Sequence, residues 1–509
     1  DDRAAGALDD AGALARHDAW WRNYWDNCPD IDLPSDFLRT FYRYALFKFA
    51  AATNPHSPLP AGLQGPWIEE YQLAPWSGDY HFNVNIQQIY TLGFATGNTA
   101  HFLPLFDMID GFKEVLAHNA RVLHGIDDGL TCIHAVDDRG YACGGISAGS
   151  SIDHAVTGWM AQIYWLYYQH TLDVDFLRER AWPFMVGTMR VYEEMLEEHE
   201  GRLSIPISIS AEYAQPLPDG RRQNVGRDPS YQLACCHMLA RALIEAAAIL
   251  ERPASPRWHE IEARLPAYTL IGEPGEERIA IWEGQDLAIC HRHHSHLGAI
   301  YPFDTLPLGD PVVDAVVDNS LDHWILRGMG QWSEWCIPWA AILQARLGLT
   351  ESPRVLLEIW REVFLNEGLA TAYLPRFRGL TAHRRADLLK PKETHEIMQL
   401  DGTMAGATAI LELLIHTRGG VTRVFPAVSE QWPEASFQGV RVPGGFVVSA
   451  NRSAGRTTRV EVQSHHGGTL RLEVPDRPTM RLRQAGQEHE VSLPVTLGLA
   501  AGERVELLG

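Results

Sequence analysis

Over most of the chain, apolar residues return every three or four positions, the spacing of helices that bury one face. The spacing runs through SDFLRTFYRYALFKFAAAT, FLPLFDMIDGFKEVLAHNARVL, VTGWMAQIYWLYYQHT, DVDFLRERAWPFMVGTMRVYEEMLEEH and DPSYQLACCHMLARALIEAAAIL. It continues through DPVVDAVVDNSLDHWILRG, SEWCIPWAAILQARLG, SPRVLLEIWREVFLNEG and GTMAGATAILELLIHT. Many of these segments open on Ser or Asp, which cap helix N-termini, and several end at Gly or Asn. With weaker segments near residues 84–99 and 255–264, the pattern predicts about eleven or twelve helices. A further amphipathic stretch, DDAGALARHDAWWRNYWDN, predicts a helix ahead of the main domain.

The period changes near Gly419. TTRVEVQSHHGGTLRLEV, EHEVSLPVTLGLA and ERVELL alternate with period two between Gly and Pro turns, which predicts an antiparallel β module. Three units follow: residues 1–34 as a linker helix, 35–419 as a helical domain and 420–509 as a β domain. Long loops rich in polar and aromatic residues join the helices, and long loops in compact domains usually carry function. A dozen helices with such loops predict an (α/α)6 barrel with its site at one end, followed by a C-terminal antiparallel β-sandwich domain. No repeat of 20–50 residues stands out, which disfavours a solenoid.

Composition narrows the partners. The 43 Lys and Arg against 64 Asp and Glu leave a formal charge of −21, opposite to what phosphate backbones or anionic membranes attract. No apolar run reaches the roughly 18 residues of a membrane span. Seven scattered cysteines with no Cys-x-x-Cys pair disfavour a disulfide framework or zinc finger. Adjacent Cys235 and Cys236 read as buried thiols. The chain starts at Asp1, which leaves room for a removed leader or upstream domain, and the compartment and oligomeric state stay open. The 16 Trp residues suit either the apolar face of a sugar ring or a large aromatic core.

Four stretches carry candidate chemistry. In YHFNVN, Asn83 and Asn85 are two apart and face one way if the segment is extended, so they can hold a water or a sugar hydroxyl. Asn85 followed by Gln88 also fits a helix capping box. In LSIPISISAEY, Glu212 ends a run of small and β-branched residues, where a carboxyl can act as a general acid or simply sit at the surface. In MQLDGTMAGATAI, Asp401 precedes an apolar helix, as either an ionised base or an N-cap. HRHHSH holds His291, His293, His294 and His296, for which sugar contacts with Arg292 are favoured over a metal because no His-Glu-x-x-His helix accompanies them. THEIMQ lacks the second His. CGGISAGSS lacks the Lys of a phosphate-binding loop, and no Gly-x-Ser-x-Gly elbow is present.

Taken in order, LPAGLQGPW, PWSGDYHFNVN, VTGWMAQIYWLYYQHTLDVDFL, SAEY, HRHHSHLGAIYP, QWSEWCIPWAAILQARLG and MQLDGTMAGATAILELLI resemble glycoside hydrolase family 95 over residues 18–509. This family comprises (α/α)6-barrel, exo-acting α-L-fucosidases and α-L-galactosidases. The resemblance implies that Glu212, in SAEY, is the general acid and Asp401, in QLDG, the general base. It implies that Asn83 and Asn85 orient the attacking water, and that Arg292 and His293 bind the terminal sugar. His81, His296, Trp76, Trp159 and Trp332 are expected around the same pocket. It further implies an inverting reaction on an oligosaccharide or polysaccharide, without metal or cofactor. Such a reaction needs two carboxyls about 6.5–9.5 Å apart. The chain departs from the family at Gln87, Thr91, Ile163 and Leu166, where the family has acidic, Trp, His and Glu residues. These departures are expected to bear on which sugar is taken. The family's N-terminal β-sandwich is missing from the sequence. A phosphorylase of the same fold, a non-catalytic sugar-binding relative and, more distantly, a lyase are the competing classes.

Overall fold

The computed structural model describes residues 10–67, 74–143, 149–376 and 397–509. The segment THEIMQ lies partly outside them, as does CGGISAGSS. Helix α1, Asp10–Asn27, leads into a short strand, β1, Asp30–Asp32. Ser35 then caps α2, Asp36–Ala52, by accepting from the Leu38 amide at 3.3 Å. A two-stranded ribbon, β2 (Tyr80–His81) with β3 (Ala135–Val136), brackets α3, Asn85–Ala95, α4, Leu103–Gly111, and α5, Lys113–His124. The segment 102–123, expected as one helix, breaks into two at Gly111 and Phe112, where glycine weakens the helix interior.

Helix α6, His154–Thr171, is followed by a π-helical turn, Leu177–Ala181, and α7, Trp182–Met195. Helical backbone runs unbroken from Val174 through the π turn into α7, and Pro183, which has no amide to donate, stands where the ladder shifts between the two spacings. The remaining main helices are α8, Ser230–Ile249, α9, Pro256–Arg264, and α10, Pro311–Leu326. After them come α11, Cys336–Arg346, α12, Glu351–Phe364, and α13, Leu400–Leu414. By length and composition α8 is the one described helix apolar enough to cross a membrane, but it lies largely buried inside the helical domain.

Glycines let these helices close on one another. A methyl group at Gly158 on α6 would lie 2.1 Å from Cys235 Sγ on α8. One at Gly406 on α13 would lie 2.2 Å from the Trp360 ring on α12. Trp360 is wholly buried, so its ring has no room to retreat. Gly406→Ala is therefore expected to destabilise the fold by roughly 1–3 kcal/mol, read as a lower urea midpoint at unchanged slope.

The strands of the C-terminal module begin directly after α13. They are β4 (Ile415–Arg418), β5 (Val421–Val424), β6 (Ala435–Val442), β7 (Phe446–Ser453), β8 (Arg456–Ser464), β9 (Gly468–Glu473), β10 (Thr479–Gln484), β11 (Gln487–Ser492), β12 (Val495–Leu499) and β13 (Arg504–Leu508). They form a seven-stranded sheet, ordered β1-β6-β7-β8-β13-β10-β11, and a four-stranded sheet, ordered β4-β5-β9-β12. Pairing is antiparallel except between β5 and β9. The edge partner of β6 is β1, so the chain's opening segment completes the C-terminal sheet.

Candidate active site

A cavity of about 460 Å³ opens in the helical domain. His81, Asn85, His134, Glu212, Arg292 and His293 supply its polar wall. Trp76, Trp335 and Tyr373 supply aromatic faces, with Trp76 and Tyr373 meeting edge to face at 4.7 Å between centroids.

The β2–β3 ribbon sets the first side. His81 pairs in register with Ala135, and the Phe82 amide donates to the His134 carbonyl at 2.9 Å. The chain then turns through residues 82–84 into α3 instead of staying extended, with Val84 as the cap at φ −167° and ψ −39°. The turn separates the two amides. Asn83 Nδ2 donates to Glu212 Oε1 at 2.9 Å, whereas Asn85 Nδ2 donates to Asp401 Oδ2. Asn85 is thus the first helical residue and its side chain makes no cap. The Asn83 Oδ1 atom is buried and accepts no hydrogen bond from a described donor. His81 Nδ1 is paired with the buried Asp79 carboxylate, which fixes its ring.

Glu212 occupies the third position of a tight turn closed by the Tyr213 amide on the Ser210 carbonyl at 2.8 Å. Its φ of +56° lies in the left-handed region, where a non-glycine residue is strained. The strain is held by neighbours on both sides. His291 Nε2 donates to the Ala211 carbonyl at 2.9 Å, and Ser210 Oγ pairs with Ser295 Oγ at 2.8 Å. The result aims the carboxyl into the cavity, where donors surround it. His134 Nε2 lies 3.1 Å from Oε1, Arg292 forms an ion pair with Oε2, and His293 Nε2 lies 3.5 Å from Oε2. Burial pushes the pKa values of His134 and His293 down, and the Arg292 charge adds to the effect on both, so both rings stand neutral.

The HRHHSH loop serves two purposes. Arg292 and His293 face the cavity. His294 donates from Nε2 to the Cys336 carbonyl at 2.9 Å and accepts from Trp324 Nε1 at 3.2 Å, so it bolts the loop to the helices. His296 is buried away from the cavity, where desolvation keeps it neutral. No group of three or more His, Cys, Asp or Glu among the described residues is arranged to hold a metal ion.

Asp401 lies in the first turn of α13, behind the wall and wholly buried. The helix cap position falls on Gln399, so Asp401 does not act as the N-cap. Its Oδ1 accepts from the Gly402 amide at 2.7 Å, and Asn85 stands between it and the cavity. Burial raises its pKa above the ordinary carboxylate value, while the Asn85 hydrogen bond opposes that rise. Two of the expected pocket tryptophans and one histidine are elsewhere. Trp332 stacks on Trp324 at 5.4 Å and packs on His294 in the core. Trp159 lines a second cavity of about 350 Å³ that shares no lining residue with the first. Thr91, Ile163 and Leu166 line that second cavity too, so these departures from the family pattern do not touch the Glu212 pocket. His134, Trp335 and Tyr373 are the pocket residues that sequence reasoning missed.

These features agree with the comparisons. The chain belongs to glycosyl hydrolase family 95. The profile of that family's catalytic domain matches residues 15–414, and the profile of its C-terminal domain matches residues 417–497. Among curated relatives, "Alpha-L-fucosidase 2" of Arabidopsis thaliana is 25% identical over 437 residues, 82% of this chain and 48% of the plant protein. "Probable alpha-fucosidase A" of Aspergillus niger is 28% identical over 160 residues, 31% of this chain and 20% of the fungal one. The chain thus spans about half the length of the plant relative and less of the fungal one. Among solved structures, a putative kojibiose phosphorylase from the human microbiome superposes with a TM-score of 0.62 at 12% identity, covering 97% of this chain and 70% of that one. A glycosidase in complex with glucose gives 0.52 at 15% identity, covering 75% of this chain and 99% of that one. At such identities the likeness concerns the fold alone.

Proposed function

We propose that the chain is an inverting exo-glycosidase built on an (α/α)6 barrel. It releases a terminal α-linked sugar, L-fucose or L-galactose-like, from oligosaccharides or polysaccharides. The observation that carries this reading is the pair of asparagines that each hold a different carboxyl: Asn83 holds Glu212, and Asn85 holds Asp401. Two amides between two carboxyls leave space for a water, as inversion requires at a spacing of about 6.5–9.5 Å.

In this scheme protonated Glu212 gives its proton to the glycosidic oxygen as the bond to the anomeric carbon breaks. A water held by the Asn83 Oδ1 atom and by Asn85 attacks that carbon from the opposite face. Asp401, held by the Asn85 amide, is the base that takes the water's proton. Arg292 leaves Glu212 for sugar hydroxyls when the substrate enters. That exchange removes a cation from beside the acid and lets Glu212 hold its proton. Trp76, Trp335 and Tyr373 supply apolar faces for the sugar ring.

Aryl glycosides and fucosylated, galactosylated and rhamnosylated oligosaccharides, followed by proton NMR, test the scheme. The first-formed product is expected to be the β anomer from an α-linked substrate. First-formed α product defeats the inverting assignment. Cleavage that requires inorganic phosphate would make the chain a phosphorylase. The buried Asp401 carboxylate disfavours that outcome, since it would repel an anionic nucleophile that needs no base. Sugar binding without release would make it a non-catalytic relative.

A further inference from the structure

Glu334 sits in QWSEW, immediately ahead of α11, and is wholly buried. Neither carboxyl oxygen receives a hydrogen bond from a described donor. The neighbouring Ser333 hydroxyl is paired with Cys336 Sγ at 3.4 Å. An ionised carboxyl without donors is not sustained in such a place, and the group keeps its proton instead. The backbone here is anchored, because Trp360 Nε1 donates to the Glu334 carbonyl at 2.7 Å. The side chain runs over Gly402, where a methyl group would lie 2.5 Å from Glu334 Cγ. Gly402 is the residue after Asp401, so the absence of a side chain there admits the Glu334 carboxyl to its neighbour.

Two adjacent buried carboxyls cannot both ionise, and one proton is left between them. The surroundings decide who holds it. Asp401 receives N–H groups from Asn85 and Gly402 and feels His81 across the cavity wall. Around Glu334, burial and the Asp401 carboxyl favour the protonated form and outweigh its own amide and the Ser333 hydroxyl, which favour the charged one. Arg292, whose charge reaches the Cys336 thiol beside Glu334, is paired with Glu212.

We propose that Glu334 is a positioning residue that remains a carboxylic acid and donates its O–H to Asp401, keeping Asp401 the charged member of the pair. This rests on the reading of Asp401 as the hydrolytic base. Asp401 then holds its charge in a buried place through three hydrogen bonds, and the side chain is fixed toward Asn85. Burial and the Asp401 charge both raise the Glu334 pKa well above its ordinary value.

Two variants separate this from simple packing. Glu334→Gln keeps an N–H donor toward Asp401, and Glu334→Leu keeps the bulk without it. Glu334→Gln is expected to hold kcat within about threefold and to leave the acidic limb of the pH profile in place. Glu334→Leu is expected to move that limb up by about one pH unit, a tenfold loss of kcat/KM below it. Infrared difference spectra at neutral pH, wild type minus Glu334→Gln, are expected to show a protonated carboxyl band that the variant lacks. Stability supplies a readout that needs no activity. Unfolded Glu334 ionises from its ordinary value of 4.5 upward, whereas the folded state keeps the proton. The folded state then binds more protons, so wild-type stability falls as pH rises, and the Tm advantage of Glu334→Gln grows with pH.

A missing infrared difference overturns the proposal. So does an acidic limb that sits at the same pH in both variants, which would leave Glu334 a packing residue. A band present in a chain that hydrolyses nothing would instead defeat the base reading while upholding the shared proton. If Glu334→Leu does not fold, the band and the pH dependence of Tm in Glu334→Gln decide alone.

Discussion

Glu212→Gln is expected to lose roughly 10²–10⁴-fold in kcat on natural linkages and to recover most of it on glycosyl fluorides or strongly activated aryl glycosides. A poor leaving group must receive a proton as its bond breaks, whereas fluoride or an acidic phenol departs without one. The substitution is nearly isosteric. The introduced amide oxygen still accepts from Asn83, and the turn around it is held by His291 and Ser210 through atoms the mutation does not touch. Wild-type kcat on an unactivated oligosaccharide would remove Glu212 from the role. An equal loss on both substrate types would assign the residue to positioning instead of proton transfer.

Asp401→Asn is expected to cost at least as much, and the leaving group is not expected to rescue it. The missing function lies on the nucleophile's side, so a small anion that needs no base is the proper rescue. With azide the variant is expected to form a glycosyl azide of inverted configuration, as azide nitrogen bonds to the anomeric carbon and the glycosidic oxygen leaves with the Glu212 proton. The stability result separates this from collapse of the helix. Because burial raises the Asp401 pKa, the folded state binds protons more tightly than the unfolded chain. Stability therefore falls as pH rises through the window between the two values, and at neutral pH the carboxylate is a net burden. The neutral amide removes that burden but sets an NH2 group where one oxygen accepted from Asn85 or Gly402, so the variant is expected to melt within a few degrees of wild type at pH 7. A variant that is inactive, melts early and ignores azide would make Asp401 a structural residue.

The helices were legible because their signal is local: a buried stripe repeats every turn wherever the partner lies. Glu212, Asn85, Arg292 and His293, singled out through ordered motifs, meet at one cavity, with Asn83 on Glu212 and Asp401 on Asn85. Their geometry was not legible in the sequence. The turn at residues 82–84, which sends the two asparagines to different carboxyls, depends on β2 pairing with β3 more than fifty residues away. The same pairing brings in His134, which no local pattern marks. Tryptophans misled for a related reason. Trp332 and Trp335 sit in one short motif, yet the first stacks on Trp324 in the core and the second lines the pocket. Composition reports how apolar a residue is, and only packing decides which rings meet solvent. Glu334 was missed because a lone glutamate between tryptophans reads as a surface group, and its burial depends on Gly402 nearly seventy residues on.

The strand Asp30–Asp32 lies ahead of every helix that shapes the pocket, yet it is hydrogen-bonded to Ala435–Val442 in the last module of the chain. A polypeptide cut after the final helix would leave that strand's backbone groups unmatched and strip the partner from the buried Ile31 side chain. The junction seen in the sequence is therefore a poor place to truncate, and a single melting transition for the two parts is the natural expectation.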